Sequence, residues 1–162
     1  MDEFGKFYNL ALRFLSYRPR SEKEVRDRLK IKNQKSNLKD LDLIIDKVIE
    51  KLKEKKFIND EEFAKGWIES RLRFKPRSLR LIKLELKNKG IDSETIEKMI
   101  NDERLMINDL ENAKKLVQKK LERFENLPKQ EIYQKLGRHL ASKGFNWDTI
   151  KKSIDEILDK RV

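Results

Sequence analysis

Residues 76–91 read PRSLRLIKLELKNKGI, and their parts recur along the chain. Pro76-Arg77-Ser78 repeats Pro19-Arg20-Ser21, and each copy stands ten residues before a leucine, Leu86 or Leu29, that closes an apolar helical stripe. Around both copies the order of parts is the same: a helix seeded by an alanine (Ala64, Ala11), a basic corner, a second helix and a third. A looser copy follows, with Ala113, Pro128, Leu140 and an ending Lys143-Gly144-Phe145 that echoes Lys89-Gly90-Ile91. Repetition at a period near 50 residues implies stacked supersecondary units, each too small to bury its apolar face alone. The expected fold is all-α, an elongated tandem array of three three-helix units over residues 1–57, 58–106 and 107–162.

Helical periodicity supports each unit. Phe4, Phe7, Tyr8, Ala11, Leu12 and Leu15 follow the three-and-four spacing of a buried face and predict a helix from about Phe4 to Tyr17, stopped by Pro19. Ser21 with Glu24 forms a capping-box signature, and Val25 and Leu29 supply the inner face behind it. Leu41, Ile44, Ile45, Val48, Ile49 and Leu52 make the clearest stripe in the chain. In the second unit Asn59 is placed to cap a helix whose first turn, Asp60-Glu61-Glu62, suits the positive end of the helix dipole. Gly90 permits a left-handed cap, and Asp92 opens the helix carrying Ile96, Met99 and Ile100. In the third unit Asn146 caps a last helix holding Ile150, Ile154 and Ile157. Trp67 and Trp147 fall beside apolar rows and read as core anchors.

Charged residues make up 43% of the chain and hydrophobic ones 37%, which suits an extended helical array better than one compact core. The formal net charge of +11 favours a polyanionic partner or an acidic protein surface, although lysine-rich helices also carry charge simply to stay solvated. There is no cysteine, so disulfides and thiolate metal sites are excluded. The acidic start Met1-Asp2-Glu3 does not read as a signal peptide, and no apolar run is long enough to span a bilayer. A soluble, cytoplasmic, monomeric chain without membrane contact is the expectation.

Catalytic vocabulary is missing. His139 is the single histidine and reads as structural or incidental, and no glycine-rich phosphate loop is present. Asp60, Glu61 and Glu62 could bind a cation in principle, but helix starts attract acidic residues for electrostatic reasons alone. The chain is therefore expected to be no enzyme and to need no cofactor or metal.

Basic residues are concentrated instead. From Arg71 to Lys89, eight basic residues face the single acid Glu85, a net +7 within nineteen residues. The first corner, Arg18 to Lys32, carries +4. A segregated like-charged patch costs stability through self-repulsion, so an acidic partner explains it better than solubility does. The expected contact residues are Arg18, Arg20 and Arg26 in the first unit, with Arg71, Arg73, Lys75, Arg77, Arg80, Lys83 and Lys87 in the second. Tyr17 and Phe74 lie in the corners, placed either to stack on a base or to pack the turn. Replacing Arg73, Arg77 and Arg80 with Ala is expected to spare folding, since no apolar stripe is touched.

Three stretches together carry a family resemblance: Ser21-Glu22-Lys23-Glu24-Val25 with Leu29, Leu52 through Phe57-Ile58-Asn59-Asp60-Glu61-Glu62-Phe63-Ala64, and Arg71 through Leu86-Lys87-Asn88-Lys89-Gly90-Ile91. In their order and spacing they resemble the RecX family of regulatory proteins, modulators of the RecA recombinase. The resemblance implies tandem three-helix units that lie in the groove of the RecA nucleoprotein filament, inhibiting its ATPase, strand exchange and growth in recombinational repair. RecA filament would be the main partner, with single- or double-stranded DNA touched secondarily. Lys75-Pro76-Arg77 departs from the family pattern where a glycine is expected, and Lys32-Asn33 replaces a lysine-glycine ending. The alternative of another class is an autonomous basic helical module that binds nucleic acid directly.

Overall fold

The computed structural model describes residues 2–32, 40–102 and 108–160. Asn33, which stands where a lysine-glycine ending is expected, and the 106/107 boundary lie outside them. The described residues form nine α-helices and no strand, so the all-α expectation holds. In chain order these are α1 Glu3–Leu15, α2 Glu22–Lys32, α3 Leu41–Glu54, α4 Asp60–Phe74, α5 Leu79–Asn88, α6 Ser93–Ile100, α7 Asp109–Leu121, α8 Lys129–Ser142 and α9 Trp147–Asp159. A 3-10 turn, Glu122–Phe124, prolongs α7.

The expected caps are formed. The Glu24 amide donates to Ser21 Oγ (3.2 Å) and the Ser21 amide to Glu24 Oε1 (3.4 Å), a reciprocal capping box. Asn59, Asp92, Asn108 and Asn146 each accept from the amide three residues on. α1 stops at Leu15, short of Tyr17, where the Ser16 amide is shared between the Leu12 and Arg13 carbonyls and the Ser16 hydroxyl also donates to the Arg13 carbonyl at 2.6 Å.

The chain divides into two compact bodies, Met1–Gly66 with Leu86–Met99 and Trp67–Glu85 with Ile100–Val162. In the first, α1, α2 and α3 pack pairwise around Phe7, Ala11, Val25, Leu29, Ile45, Val48, Ile49 and Leu52. Leu29, Ile45, Ile49 and Leu52 are fully buried, each contributing about 1.5–3 kcal/mol. In the second body α7, α8 and α9 enclose the core of Ala113, Val117, Leu121, Leu136, Leu140, Ile150 and Ile154. Trp147, expected in a core, is 65% exposed. It is the first residue of α9 and borders a shallow, open pocket together with Gly137 and Ala141 of α8. Tyr17 and Phe74 are also exposed, at 78% and 64%, and do not pack their turns.

The repeated motifs meet in a joint made once in each body. In the first, Ser21 Oγ donates to the Lys89 carbonyl (2.7 Å), while the amide of Glu22, at the open start of α2, donates to Asp60 of α4 (2.9 Å). In the second, the Ser78 amide donates to the Lys143 carbonyl (3.0 Å) and the Leu79 amide to Asp109 of α7 (2.9 Å). The serine of each Pro-Arg-Ser motif is thus seated on a Lys-Gly turn, and an aspartate from a different helix fills the vacant amide behind it. Ser21 and Ser78 are buried. Burial without these partners would cost each polar group about 1–3 kcal/mol.

The turns need glycine. Gly90 and Gly144 adopt φ of +81° and +89°, and a Cβ on either would run into the motif seated on it: Lys23 at Gly90, Ser78 and Leu81 at Gly144. Gly144→Ala is expected to lower stability by more than the ~1–2 kcal/mol of the left-handed backbone alone, since buried Ser78 cannot move aside. Gly90→Ala should also cost more than that, because the Lys23 atom in the way is its Cβ, which the α2 backbone holds in place. Gly66→Ala, in α4 with open space around it, should raise stability by about 0.5–1 kcal/mol. Urea unfolding of the three variants checks the order.

Candidate functional site

The first basic corner is largely neutralised by its own fold. Glu24 receives Arg18 Nη2 at 2.6 Å, Arg20 Nη1 at 3.6 Å and Lys89 Nζ at 3.7 Å. Burial alone would raise the Glu24 carboxyl, but the Arg18 hydrogen bond, the Ser21 amide and the Lys89 charge outweigh it and hold it below the usual range. The Arg20 guanidinium also lies 3.9 Å from the Phe14 ring centroid. Arg26 meets Asp46 at 2.6 Å and Glu22 at 3.9 Å.

In the middle corner Glu85, the single acid of the +7 stretch, takes two arginines: Arg77 Nη1 at 2.8 Å and Arg71 Nη2 at 3.2 Å. Both side chains are four-fifths buried or more, and Arg71 also lies 4.3 Å from the Trp67 ring centroid. Arg80 Nη2 reaches the Gly144 carbonyl at 3.4 Å. The expectation that Arg73, Arg77 and Arg80 can all be removed without touching the fold is therefore corrected: Arg77 and Arg80 have internal partners. Arg73, beside the Phe74 ring at 5.2 Å, and Lys75 and Lys87 are exposed, while Lys83 is half-buried.

The second body opens a cleft of about 400 Å³ at this corner. One wall is Phe74, Lys75, Pro76 and Arg77; the others are Leu116, Lys119 and Lys120 of α7, Arg123 of the 3-10 turn, His139 of α8, and Lys143. No carboxylate of the described residues lines it. Burial, then the charges of Lys120 and Lys143, push the His139 imidazole below its ordinary range, so it is neutral at pH 7. The joint builds this cleft, since Ser78 on Lys143 and Leu79 on Asp109 bring the corner against α7 and α8.

The sequence singles out neither Lys119, Lys120 nor Arg123, and it marks Lys143 only as part of a helix ending and His139 only as structural or incidental. A signal existed. Leu116, Lys119, Lys120 and Arg123 are spaced i, i+3, i+4, i+7, and His139 and Lys143 i, i+4, so each set shares a helical face.

Family models described as the first, second and third three-helix domains of RecX match residues 8–33, 59–100 and 108–154. The regulatory protein RecX of Bacillus velezensis is 35% identical over 159 residues, covering 96% of this chain and 56% of its own length. That of Clostridioides difficile is 32% identical, covering 95% and 69%. The chain thus spans about half the length of the Bacillus relatives it matches. A crystal structure of RecX from Lactobacillus salivarius superposes with a TM-score of 0.70 at 30% identity, covering 94% of this chain and 95% of that one.

Two outcomes follow from the ion pairs and the histidine. Arg77→Ala should lower stability by about 1–2 kcal/mol, because a charged hydrogen bond is lost while Arg71 still attends Glu85. Arg73→Ala should change it by less than about 0.5 kcal/mol. The folded chain binds a proton at His139 more weakly than the unfolded chain, whose pKa is near 6.5. The contribution of His139 is therefore complete above that pH and declines as pH falls through the window just below it. His139→Gln should lessen the stability lost between pH 7.5 and 5.5, read by urea midpoints at both pH values.

Proposed function

The chain belongs to the RecX family of regulatory proteins, and from that membership we propose that it is a non-enzymatic regulator of the RecA recombinase. In this reading its three repeats, 1–57, 58–106 and 107–162, lie in the groove of the RecA nucleoprotein filament and inhibit ATPase, strand exchange and filament growth. The partner is the assembled filament, with DNA touched secondarily. The observation that carries the reading is the division of the basic residues. Glu24 and Glu85 draw in the arginines that hold the corners, whereas Arg73, Lys75 and Lys87 stay exposed on the same α4 to α5 stretch. Charges kept at the surface beside an exposed Phe74 suit an acidic partner surface.

Arg18, Arg20, Arg26, Arg71, Arg77, Arg80 and Lys83 belong to the proposed contact surface as well, but most act through charge that the fold already shares. The exposed set should therefore dominate binding. Arg73→Ala with Lys75→Ala and Lys87→Ala is expected to leave the melting temperature within a few degrees of the parent and to weaken inhibition of RecA ATPase at moderate salt by about tenfold or more. Equal inhibition by parent and variant would refute the assignment of this surface. Failure of the parent chain to inhibit at all would refute the regulatory reading.

A further inference from the structure

The cleft of the second body has a chemistry that regulation of a recombinase does not itself require. Among the described residues its walls carry six cations, Lys75, Arg77, Lys119, Lys120, Arg123 and Lys143, against no carboxylate. Of these only Arg77 has an ion-pair partner among the described residues, namely Glu85. The contrast with the first corner is direct, since Arg18, Arg20, Arg26 and Lys89 there all meet carboxylates. The other five like charges around about 400 Å³ repel one another unless an anion lies between them.

The shape of the anion follows from the walls. The walls on α7, the 3-10 turn and α8 are helical, and at the irregular Lys75-Pro76-Arg77 wall the Lys75 amide is spent on the Arg71 carbonyl and Pro76 has none, so no row of free amides offers an edge along which an extended peptide could pair. Recognition falls to side-chain cations and to one aromatic ring, Phe74, which stands 64% exposed at the mouth with the Arg73 guanidinium beside it. Cations for oxygens and a ring for a planar group are the elements that bind phosphate and base together. The volume is that of a small-ligand site. We propose that this cleft binds a nucleotide, its phosphates among Lys119, Lys120, Arg123 and Lys143 and its base against Phe74. The source is either a free nucleoside polyphosphate or one nucleotide of a single strand, and the inference stands on the cleft alone, independently of any action on RecA.

The test is calorimetric titration of the full chain, without recombinase, using ATP, inorganic pyrophosphate, an oligothymidylate of eight nucleotides and a glutamate-rich peptide. Lys119→Ala with Arg123→Ala removes two exposed cleft cations, and Lys151→Ala with Lys152→Ala, exposed on α9 outside the cleft, is the control. The cleft variant should lose about tenfold or more in affinity for ATP or the oligonucleotide, with a salt slope shallower by about one per cation removed. The control should retain parental affinity. Phe74→Ala should weaken ATP and oligonucleotide but leave pyrophosphate unchanged, a split that a purely electrostatic surface would not give. Tighter binding of the oligonucleotide than of ATP assigns the site to a strand, and the reverse order assigns it to a free nucleotide. The proposal is overturned if neither nucleotide ligand titrates, if the cleft variant binds as the parent does, or if the peptide binds while the nucleotides do not. Since RecA is not present, none of these results bears on whether the chain inhibits the filament.

Discussion

The hydrogen-bonded seat of each Pro-Arg-Ser serine on a Lys-Gly turn is the contact on which the rest of the structure depends. A helix start leaves amides without intrahelical partners. At α2 and α5 those vacancies are filled from a distance, by Asp60 and Asp109. The arrangement is not free of cost. Burial raises the Asp60 carboxyl above its ordinary range, the charge of Glu22 adds to this, and the Glu22 amide and Lys53 offset only part of it. What the aspartate gains is position. A cap from another helix fixes two helices against each other, which a local serine cap cannot do, and the glycine at the turn lets the serine approach closely enough to complete the seat.

Once the joints are set, the placement of charge follows. Each corner precedes its serine directly, so the arginines of the corner are drawn to whichever carboxylate the joint brings near. In the first body that is Glu24, itself part of the capping box. In the second it is Glu85, two turns along α5 from Ser78. The same motif therefore neutralises itself by different geometry in its two copies. The second joint has a further effect, because the carbonyl that receives the Ser78 amide belongs to Lys143, a wall of the cleft.

Most of the fold was legible in the sequence, for a physical reason. Helix stripes, caps and left-handed turns are local, and Ser21, Asn59, Asp92, Gly90, Gly144 and Asn146 all do what their chemistry allows at their positions. Trp147 misled because hydrophobic spacing identifies a face but not how far its cover extends, and the first residue of α9 stands beside an open pocket. The site was legible only in part. Counting charge along residues 71–89 found the middle corner but could not distinguish Arg77, held inside by Glu85, from Arg73, left outside. His139 was set aside because it lacks any partner suited to metal or nucleophilic chemistry, and its place in the cleft depends on contacts far apart in sequence.

The cleft shows how charge and stability are divided within one helix. α7 commits Ala113, Leu116, Val117 and Leu121 to the core and places Lys119 and Lys120 on the flank, with Arg123 in the turn that prolongs it. Apolar burial on one face is what allows the adjoining flank to hold like charges close together, since repulsion in the free chain must be outweighed by the core beneath. Lysines placed at random on a solvated helix would be diluted by neighbouring acids, as Lys114 is by Glu111 and Glu156 on the opposite side of the same helix. Among the described residues, α7 thus pairs its cation where it meets α9 and leaves its cations unpaired where it meets the corner, an asymmetry that solubility alone does not explain.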